Sequence, residues 1–169
     1  MELLPDIAGR QSIKKFDEKP LEKEQLNRIL EAGRRAPSAK NRQPWRFIVI
    51  DKPSLQEKIQ TASFGQEWVG QAPIIIAACS TNVDYRMPNG QHAHPIDISI
   101  AVSFMMLQAE HEGLGSSIIT TFDEQEVKEL LTVPYSMKVL MLLLLGHTAE
   151  RPFPETRKPL QRIIGYNHW

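Results

Sequence analysis

The alternation of apolar and polar residues along the chain predicts amphipathic helices. Apolar residues recur every three or four positions in residues 21–36, between two prolines, which is typical of a helix. Residues 97–115 follow the same period, and residues 123–131 predict a further helix. Asp97 and Asp123 stand at the two starts, where a carboxylate can accept hydrogen bonds from unpaired backbone N–H groups. We therefore expect both to be helix N-caps.

Four short apolar runs predict strands. The second run is apolar at successive positions, as expected of a central strand that helices cover on both faces. No internal repeat or low-complexity linker interrupts the pattern, so we expect one domain over residues 1–169, with helices around a mixed sheet. The runs are RFIVID (46–51), PIIIAACS (73–80), SSIITTF (116–122) and KVLMLLLLGH (138–147).

The C-terminal segment, residues 151–169, combines three prolines with many large apolar side chains. Leaving such side chains in water forfeits roughly 1.5–3 kcal/mol each. The segment should therefore lie across another surface, either of its own chain or of a second identical subunit. Its cationic pair, Arg157 and Lys158, is by itself typical of a solvated surface. The apolar side chains are Phe153, Leu160, Ile163, Ile164, Tyr166 and Trp169.

Charge and composition exclude several classes of function. Lys plus Arg and Asp plus Glu number 20 each, so no general positive field attracts nucleic acid or a membrane surface. The longest apolar run, residues 139–145, is too short to span a bilayer. The single cysteine, Cys79, excludes an intramolecular disulfide framework and a thiolate zinc site. Because no apolar stretch near the start is typical of a secretory signal, we expect a cytoplasmic protein.

The stretch RQSIKKF, residues 10–16, places three cations around one serine. In an extended chain Arg10, Ser12 and Lys14 project to one side, where they could bind a doubly negative group, and Lys15 projects to the other. A solvated charged turn explains the same residues. The spacing alone favours the solvated turn.

A second stretch, PSAKNRQPW, leads from the first helix into a strand. Its small residues would let backbone amides approach a flat ligand, while Asn41 and Gln43 supply directional polar groups. Trp45 could then form an apolar wall. The alternative is an ordinary helix-to-strand loop with Trp45 in the core.

Taken together and in order, these motifs resemble the nitroreductase-like family of FMN-dependent oxidoreductases. The resemblance rests on R-x-S-x-K, APSAKNRQPW, D-x-x-x-A before GLG, and RKPL near the C-terminus. It implies an α+β fold, a three-layer sandwich whose central, mostly antiparallel sheet is flanked by helices. It also implies a homodimer with two FMN molecules in the interface, in which a C-terminal arm of about residues 150–169 is exchanged.

The resemblance also implies roles for particular residues. Arg10 and Ser12 would bind the FMN phosphate, and Lys14 would approach the ribityl chain or the pyrimidine side of the ring. The 37–43 loop would line the dimethylbenzene side from the other subunit. A backbone N–H near Thr120 would meet N5, where many relatives have glycine, which reaches positive φ more easily than threonine. The implied set is Arg10, Gln11, Ser12, Lys14, Pro37, Ser38, Ala39, Asn41, Gln43, Thr120, Thr121, Arg157 and Lys158.

The activity implied is hydride transfer from NADH or NADPH, through FMN N5, to a small acceptor such as a nitroaromatic or quinone. One flavin face used twice implies ping-pong kinetics, and no side chain is expected to be a dedicated acid. Residues 64–68 and 82–95 should form the substrate pocket. The alternatives are a flavin-binding sensor or storage protein, a specialised flavin dehalogenase or dehydrogenase, and a basic module for phosphorylated partners, which the zero net charge disfavours.

Three remaining residues have less specific patterns. His92 and His94 have a spacing that a metal could use, but they fall in a predicted loop without a third ligand nearby, so we expect no metal site. Cys79 lies in an apolar strand and is expected to be a buried structural thiol.

Overall fold

The computed structural model describes residues 3–152 and 156–168. These ranges contain α-helices and strands in alternation, with two short 3₁₀ turns at Ala39–Asn41 and Leu160–Arg162. The helices are α1 Pro5–Gly9, α2 Lys23–Arg34, α3 Pro53–Ala62, α4 Glu67–Gln71, α5 Ala93–His111 and α6 Glu124–Leu131. The strands are β1 Trp45–Ile50, β2 Ile74–Ser80, β3 Gly115–Ile119 and β4 Lys138–Gly146.

The four strands form one sheet in the order β1-β2-β4-β3, and every neighbouring pair is antiparallel. The mostly antiparallel sheet that the resemblance implies is confirmed, whereas the mixed sheet predicted from the apolar runs alone is wrong. An isolated parallel bridge between Ser12 and Ser116 adds the N-terminal segment beside β3. This bridge brings the RQSIKKF stretch to the sheet edge.

The core has two halves, one on each face of the sheet. All seven residues of β2 are buried, and the six before Ser80 alternate between the two halves as the strand period of two requires. Helices α3, α4 and α6 contribute apolar side chains to one half, and α2 and α5 contribute to the other. The structure is therefore the three-layer α+β sandwich that was predicted.

Helix α5 begins at Ala93, four residues before the predicted start, so the prediction that Asp97 is its N-cap is wrong. Pro95 is compatible with the first turn, where the N–H that proline lacks would have no partner within the helix. Asp97 consequently lies inside α5 and is buried. By contrast, the cap of α6 is confirmed, because Oδ1 of Asp123 accepts a hydrogen bond of 2.9 Å from the backbone N–H of Glu126.

Two other boundaries differ from the predictions. Strand β3 ends at Ile119 rather than at residue 122, so Thr120 and Thr121 follow the strand. Helices α1, α3 and α4 were not predicted. Two of them have only five residues, which is too short for a helical period to be read from the sequence.

The apolar side chains of the C-terminal segment are exposed in the single chain. Ile163 is 55% exposed and Tyr166 is 81% exposed, and Leu160 and Ile164 are exposed as well. The possibility that the segment covers its own chain is therefore wrong for these four residues. Phe153 and Trp169, which belong to the same prediction, lie outside the described residues. Within the described ranges, no helix combines the length and apolarity needed to cross a bilayer.

Phe64 adopts an unusual backbone conformation at the end of α3. Its φ is 55°, in the left-handed region that favours glycine. The N–H of Phe64 donates to the carbonyl of Thr61 and the N–H of Gly65 donates to that of Gln60, which is the bonding of a Schellman motif. Because the ring is also exposed, replacing Phe64 by glycine should raise the free energy of unfolding by about 0.5–1 kcal/mol.

Urea denaturation of the purified protein measures this change. The control is Phe64→Ala, which removes the ring but keeps a Cβ in the left-handed region and should bring no gain in stability. A glycine variant less stable than the alanine variant would contradict the explanation.

Candidate functional site

The N-terminal segment beside β3 presents polar side chains to solvent. The backbone N–H of Ile13 donates to the carbonyl of Ser116 over 3.0 Å, and the Ile13 side chain is buried. Ser12 and Lys14, on either side of Ile13, therefore face outward, as the extended-chain argument predicted. The same argument placed Lys15 on the opposite side, but Lys15 borders the same cavity as Lys14, because the pairing with β3 is a single bridge and the strict alternation ends there.

The first cavity at this edge has a volume of about 420 Å³ and a cationic lining. Lys15 is exposed and pairs with Glu150 at 2.6 Å. Arg151 is held in place by two acceptors, Oε1 of Glu110 at 2.7 Å and the carbonyl of Gly9 at 3.1 Å. Two of the three cations in the lining have a carboxylate partner, so a net positive charge and one hydroxyl remain, which suit a negative group such as a phosphate. The lining residues are Ser12, Lys14, Lys15, Glu150, Arg151 and Pro152.

A second cavity, of about 160 Å³, shares Lys14 with the first. Nζ of Lys14 lies 4.7 Å from the centroid of a Trp68 ring, a cation–π distance. Nε2 of Gln66 donates to the carbonyl of Thr121 at 2.9 Å and so ties the end of β3 to the loop before α4. The two cavities meet at Lys14. The second is lined by Lys14, Gln66, Trp68, Ser117, Ile118, Ile119, Thr120 and Thr121.

Threonine fits the backbone at the end of β3. Residues with positive φ in the described part of the chain do not include Thr120 or Thr121. Both residues are exposed and border the second cavity. The absence of glycine here therefore imposes no strain.

The 37–43 loop has a fixed and unusual conformation. Lys40, Asn41 and Gln43 all have φ between 50° and 53°, in the left-handed region. The hydroxyl of Ser38 accepts a hydrogen bond of 2.9 Å from the N–H of Gln43, whose side-chain amide donates to Oδ1 of Asn41 at 3.1 Å. Several non-glycine residues in this region indicate that the surrounding structure holds the loop in place.

Two residues from outside the loop contact it, and the sequence did not predict either contact. Oδ1 of Asp97 accepts a hydrogen bond of 2.8 Å from the N–H of Ala39, 58 positions away. The ring of Tyr85 lies 3.8 Å from Cζ of Arg42 and 5.6 Å from Nζ of Lys40, measured to its centroid. A D-x-x-x-A motif marked Asp97, but nothing in the sequence indicated its partner.

The predicted site residues do not all meet in one chain. Arg10 directly follows α1 and borders neither cavity among the described residues, and the same holds for Arg157 and Lys158 in the exposed segment. Oε1 of Gln11 is buried without a hydrogen-bond partner in the described part of the chain. The structure thus brings Ser12, Lys14, Thr120 and Thr121 to the cavities, with Gln11 next to Ser12 in the chain, adds Arg151, and leaves the others apart.

The 37–43 loop also borders neither of the two cavities within its own chain. Trp45, which follows it, is 6% exposed and packs in the core half formed with α2 and α5. The interpretation of Trp45 as a ligand wall is therefore wrong, and the alternative of a core residue is confirmed.

His92 and His94 lie next to each other, with ring centroids 5.4 Å apart. His94 was predicted to lie in a loop, but it belongs to the first turn of α5. The pKa of His94 is lowered, mainly by burial and secondly by the charge of His92. Over residues 3–152 and 156–168, no group of three or more His, Cys, Asp or Glu side chains is placed to hold a metal ion.

Cys79 is fully buried in β2. Burial raises the pKa of its thiol to about 11, so the reactive thiolate is scarce at neutral pH. The prediction of a structural thiol agrees with this environment.

Comparison with known proteins assigns the chain to a family. The sequence model of the Nitroreductase family matches residues 7–68 and 60–147, which is most of the chain. The chain belongs to the nitroreductase family. An NADH dehydrogenase from Thermus thermophilus is 29% identical over 92% of this chain and 91% of its own length. An FMN reductase (NAD(P)H) from Bacillus subtilis is 29% identical over 96% of this chain and 72% of its own.

The fold of solved family members matches as well. A nitroreductase family protein from Clostridium difficile 630 superposes with a TM-score of 0.88 and 30% sequence identity, over 100% of both chains. The layered sheet therefore belongs to the architecture of the nitroreductase family.

Proposed function

We propose that this protein uses FMN to transfer a hydride from NADH or NADPH to a small acceptor, such as a nitroaromatic or a quinone, with ping-pong kinetics. Family membership supports the more general part of this proposal, that the chain is an NAD(P)H-dependent oxidoreductase and a flavoprotein. The observation that carries the site is the meeting of a cationic cavity and a smaller cavity at Lys14.

The residues at this edge fit FMN. Ser12, Lys15 and Arg151 offer a hydroxyl and two cations to the phosphate. Because Lys15 pairs with Glu150 and Arg151 with Glu110, the net positive charge of the cavity comes from Lys14. The buried Oε1 of Gln11 needs a donor, which a ribityl hydroxyl would provide. Trp68 and the end of β3 give the second cavity the aromatic and backbone surfaces that suit one edge of a flat ring.

FMN, when bound, supplies the N5 atom that exchanges hydride with substrates. Lys14 contributes a fixed positive charge where the two cavities meet, and the Trp68 ring orients its ammonium group. Gln66 holds the carbonyl of Thr121, so that the backbone of Thr120 and Thr121 keeps one orientation at the cavity. The described lining of the second cavity contains no carboxylate or imidazole, so solvent would supply protons. Donor and acceptor would stack in turn on the same exposed face of the bound flavin, which supports ping-pong order.

A homodimer completes this proposal. The exposed apolar side chains of residues 160–166 call for a partner surface, and a second copy of the chain offers one. The 37–43 loop, rigid but remote from its own cavities, would then line the FMN site of the partner. Arg157 and Lys158 would complete the phosphate site.

The experiment that tests this function is an anaerobic titration of FMN-loaded protein with NADH and with NADPH. Loss of the visible flavin band within turnover time, followed by its return when a quinone or nitroaromatic is added, is the expected result. A sensor or storage protein would keep the band on the same timescale. Initial rates at several concentrations of both substrates should give parallel double-reciprocal lines, and intersecting lines would contradict ping-pong order.

A further inference from the structure

Asp97 is a buried carboxylate that the proposed chemistry does not use. It is 3% exposed inside α5, and its Oδ1 accepts the N–H of Ala39 at 2.8 Å. Burying a carboxylate is costly unless hydrogen bonds or charges compensate it. Here the compensating bond runs to the backbone of the 37–43 loop and not to the start of the helix that carries Asp97.

The loop that Asp97 holds is one that would not keep its shape unaided. Three of its residues, Lys40, Asn41 and Gln43, occupy the left-handed region without being glycine. Inside the loop, the hydroxyl of Ser38 restrains Gln43. Asp97 supplies a further restraint from outside the loop, through the N–H of Ala39. Losing that restraint would let these residues relax to ordinary backbone conformations.

We propose that Asp97 is a positioning residue for cofactor binding, because it fixes the 37–43 loop in the conformation that contacts the isoalloxazine ring. The inference rests on the proposed function, in which this loop lines the FMN site. Asp97 acts through the backbone of Ala39 and without touching FMN, since it borders neither of the two cavities. The requirement is an oxygen acceptor at this place in α5, so an amide oxygen should substitute for the carboxylate.

The test compares Asp97→Leu, which fills the same space without an acceptor, with Asp97→Asn, which keeps an oxygen. Titration of FMN fluorescence should give a dissociation constant at least tenfold higher for D97L and within about threefold of the unchanged protein for D97N. Asp97→Ala serves the same purpose if D97L fails to fold. An FMN affinity within threefold of the unchanged protein in a folded D97L or D97A would overturn the proposal.

A control separates positioning from general loss of stability. Gln56 is also buried and bonds backbone carbonyls, those of Ile50 at 3.2 Å and Pro73 at 2.8 Å, but it borders neither cavity. Gln56→Ala should lower the melting temperature and leave FMN affinity within threefold. A loss of FMN affinity as large as that of D97L would show that instability alone explains the effect, and would overturn the proposal.

Hydrogen exchange tests the loop without FMN, so that the two proposals can fail separately. The amide of Ala39 should exchange at least tenfold faster in D97L than in the unchanged protein, and D97N should keep its protection. Unchanged exchange in D97L would overturn the role of Asp97 whatever the cofactor. Faster exchange together with no FMN binding by the unchanged protein would uphold the restraint on the loop and reject the FMN site, and with it the role in cofactor binding.

Discussion

Replacing Lys14 by methionine is expected to weaken FMN binding by about ten- to hundredfold, and to lower the midpoint potential of the bound cofactor. Methionine keeps an unbranched side chain but removes the positive charge, and with it the cation–π contact to Trp68, where the two cavities meet. A hydrogen bond to a charged group contributes roughly 1.5–3 kcal/mol, which corresponds to that loss of affinity. The potential should fall because a cation beside the ring favours the form that carries more negative charge.

The matched control is the neighbouring substitution, Lys15→Met. Lys15 has the same charge but borders only the first cavity, and Glu150 already neutralises part of it. Fluorescence titration and spectroelectrochemistry should show a smaller loss of affinity and an unchanged potential in K15M. Equal potentials for the two variants would contradict the role given to Lys14.

The double substitution Ile163→Asp and Ile164→Asp is expected to convert the protein from dimer to monomer. Ile163 and Ile164 are exposed in the single chain, so charges there should not disturb the fold, yet they would oppose burial against a partner. Each buried isoleucine contributes roughly 1.5–3 kcal/mol, so losing two should raise the dimer dissociation constant more than a hundredfold. Light scattering after size exclusion should give 19.3 kDa for the variant and twice that mass for the unchanged protein.

Gln161→Asp provides the control in the same segment, because Gln161 is exposed and polar. It should remain dimeric and bind FMN normally. The isoleucine variant should also lose FMN, since the 37–43 loop of the partner would no longer complete the site. A dimeric double variant, or a monomer that binds FMN as tightly as before, would contradict the shared site.

The parts of the fold that could be predicted are those set by local pattern. Strands β2 and β4 are continuous apolar runs, and α2 has a clear period between two prolines, so nearby residues decide these elements. The start of α5 was misplaced because Pro95 was read as a loop residue, although a first helical turn accepts proline. Because of that error, Asp97 was predicted to cap α5, and its buried position inside the helix was missed.

The site was predictable only where residues adjacent in sequence act together. Ser12 and Lys14 alternate in one extended segment, so their common direction followed from strand geometry. Arg151 reaches the same cavity only because the end of β4 lies beside the N-terminal segment, and the bond between Asp97 and Ala39 depends on the packing of distant elements. Such contacts are set by tertiary structure and leave no spacing in the sequence.

The central claim, that the edge beside β3 is an FMN site, is tested most directly by reconstitution of the purified protein with excess FMN. After removal of free cofactor, absorbance should show one FMN per chain, and Lys14→Met should lower that occupancy. Protein that stays colourless after reconstitution, while folded and dimeric, would contradict the account.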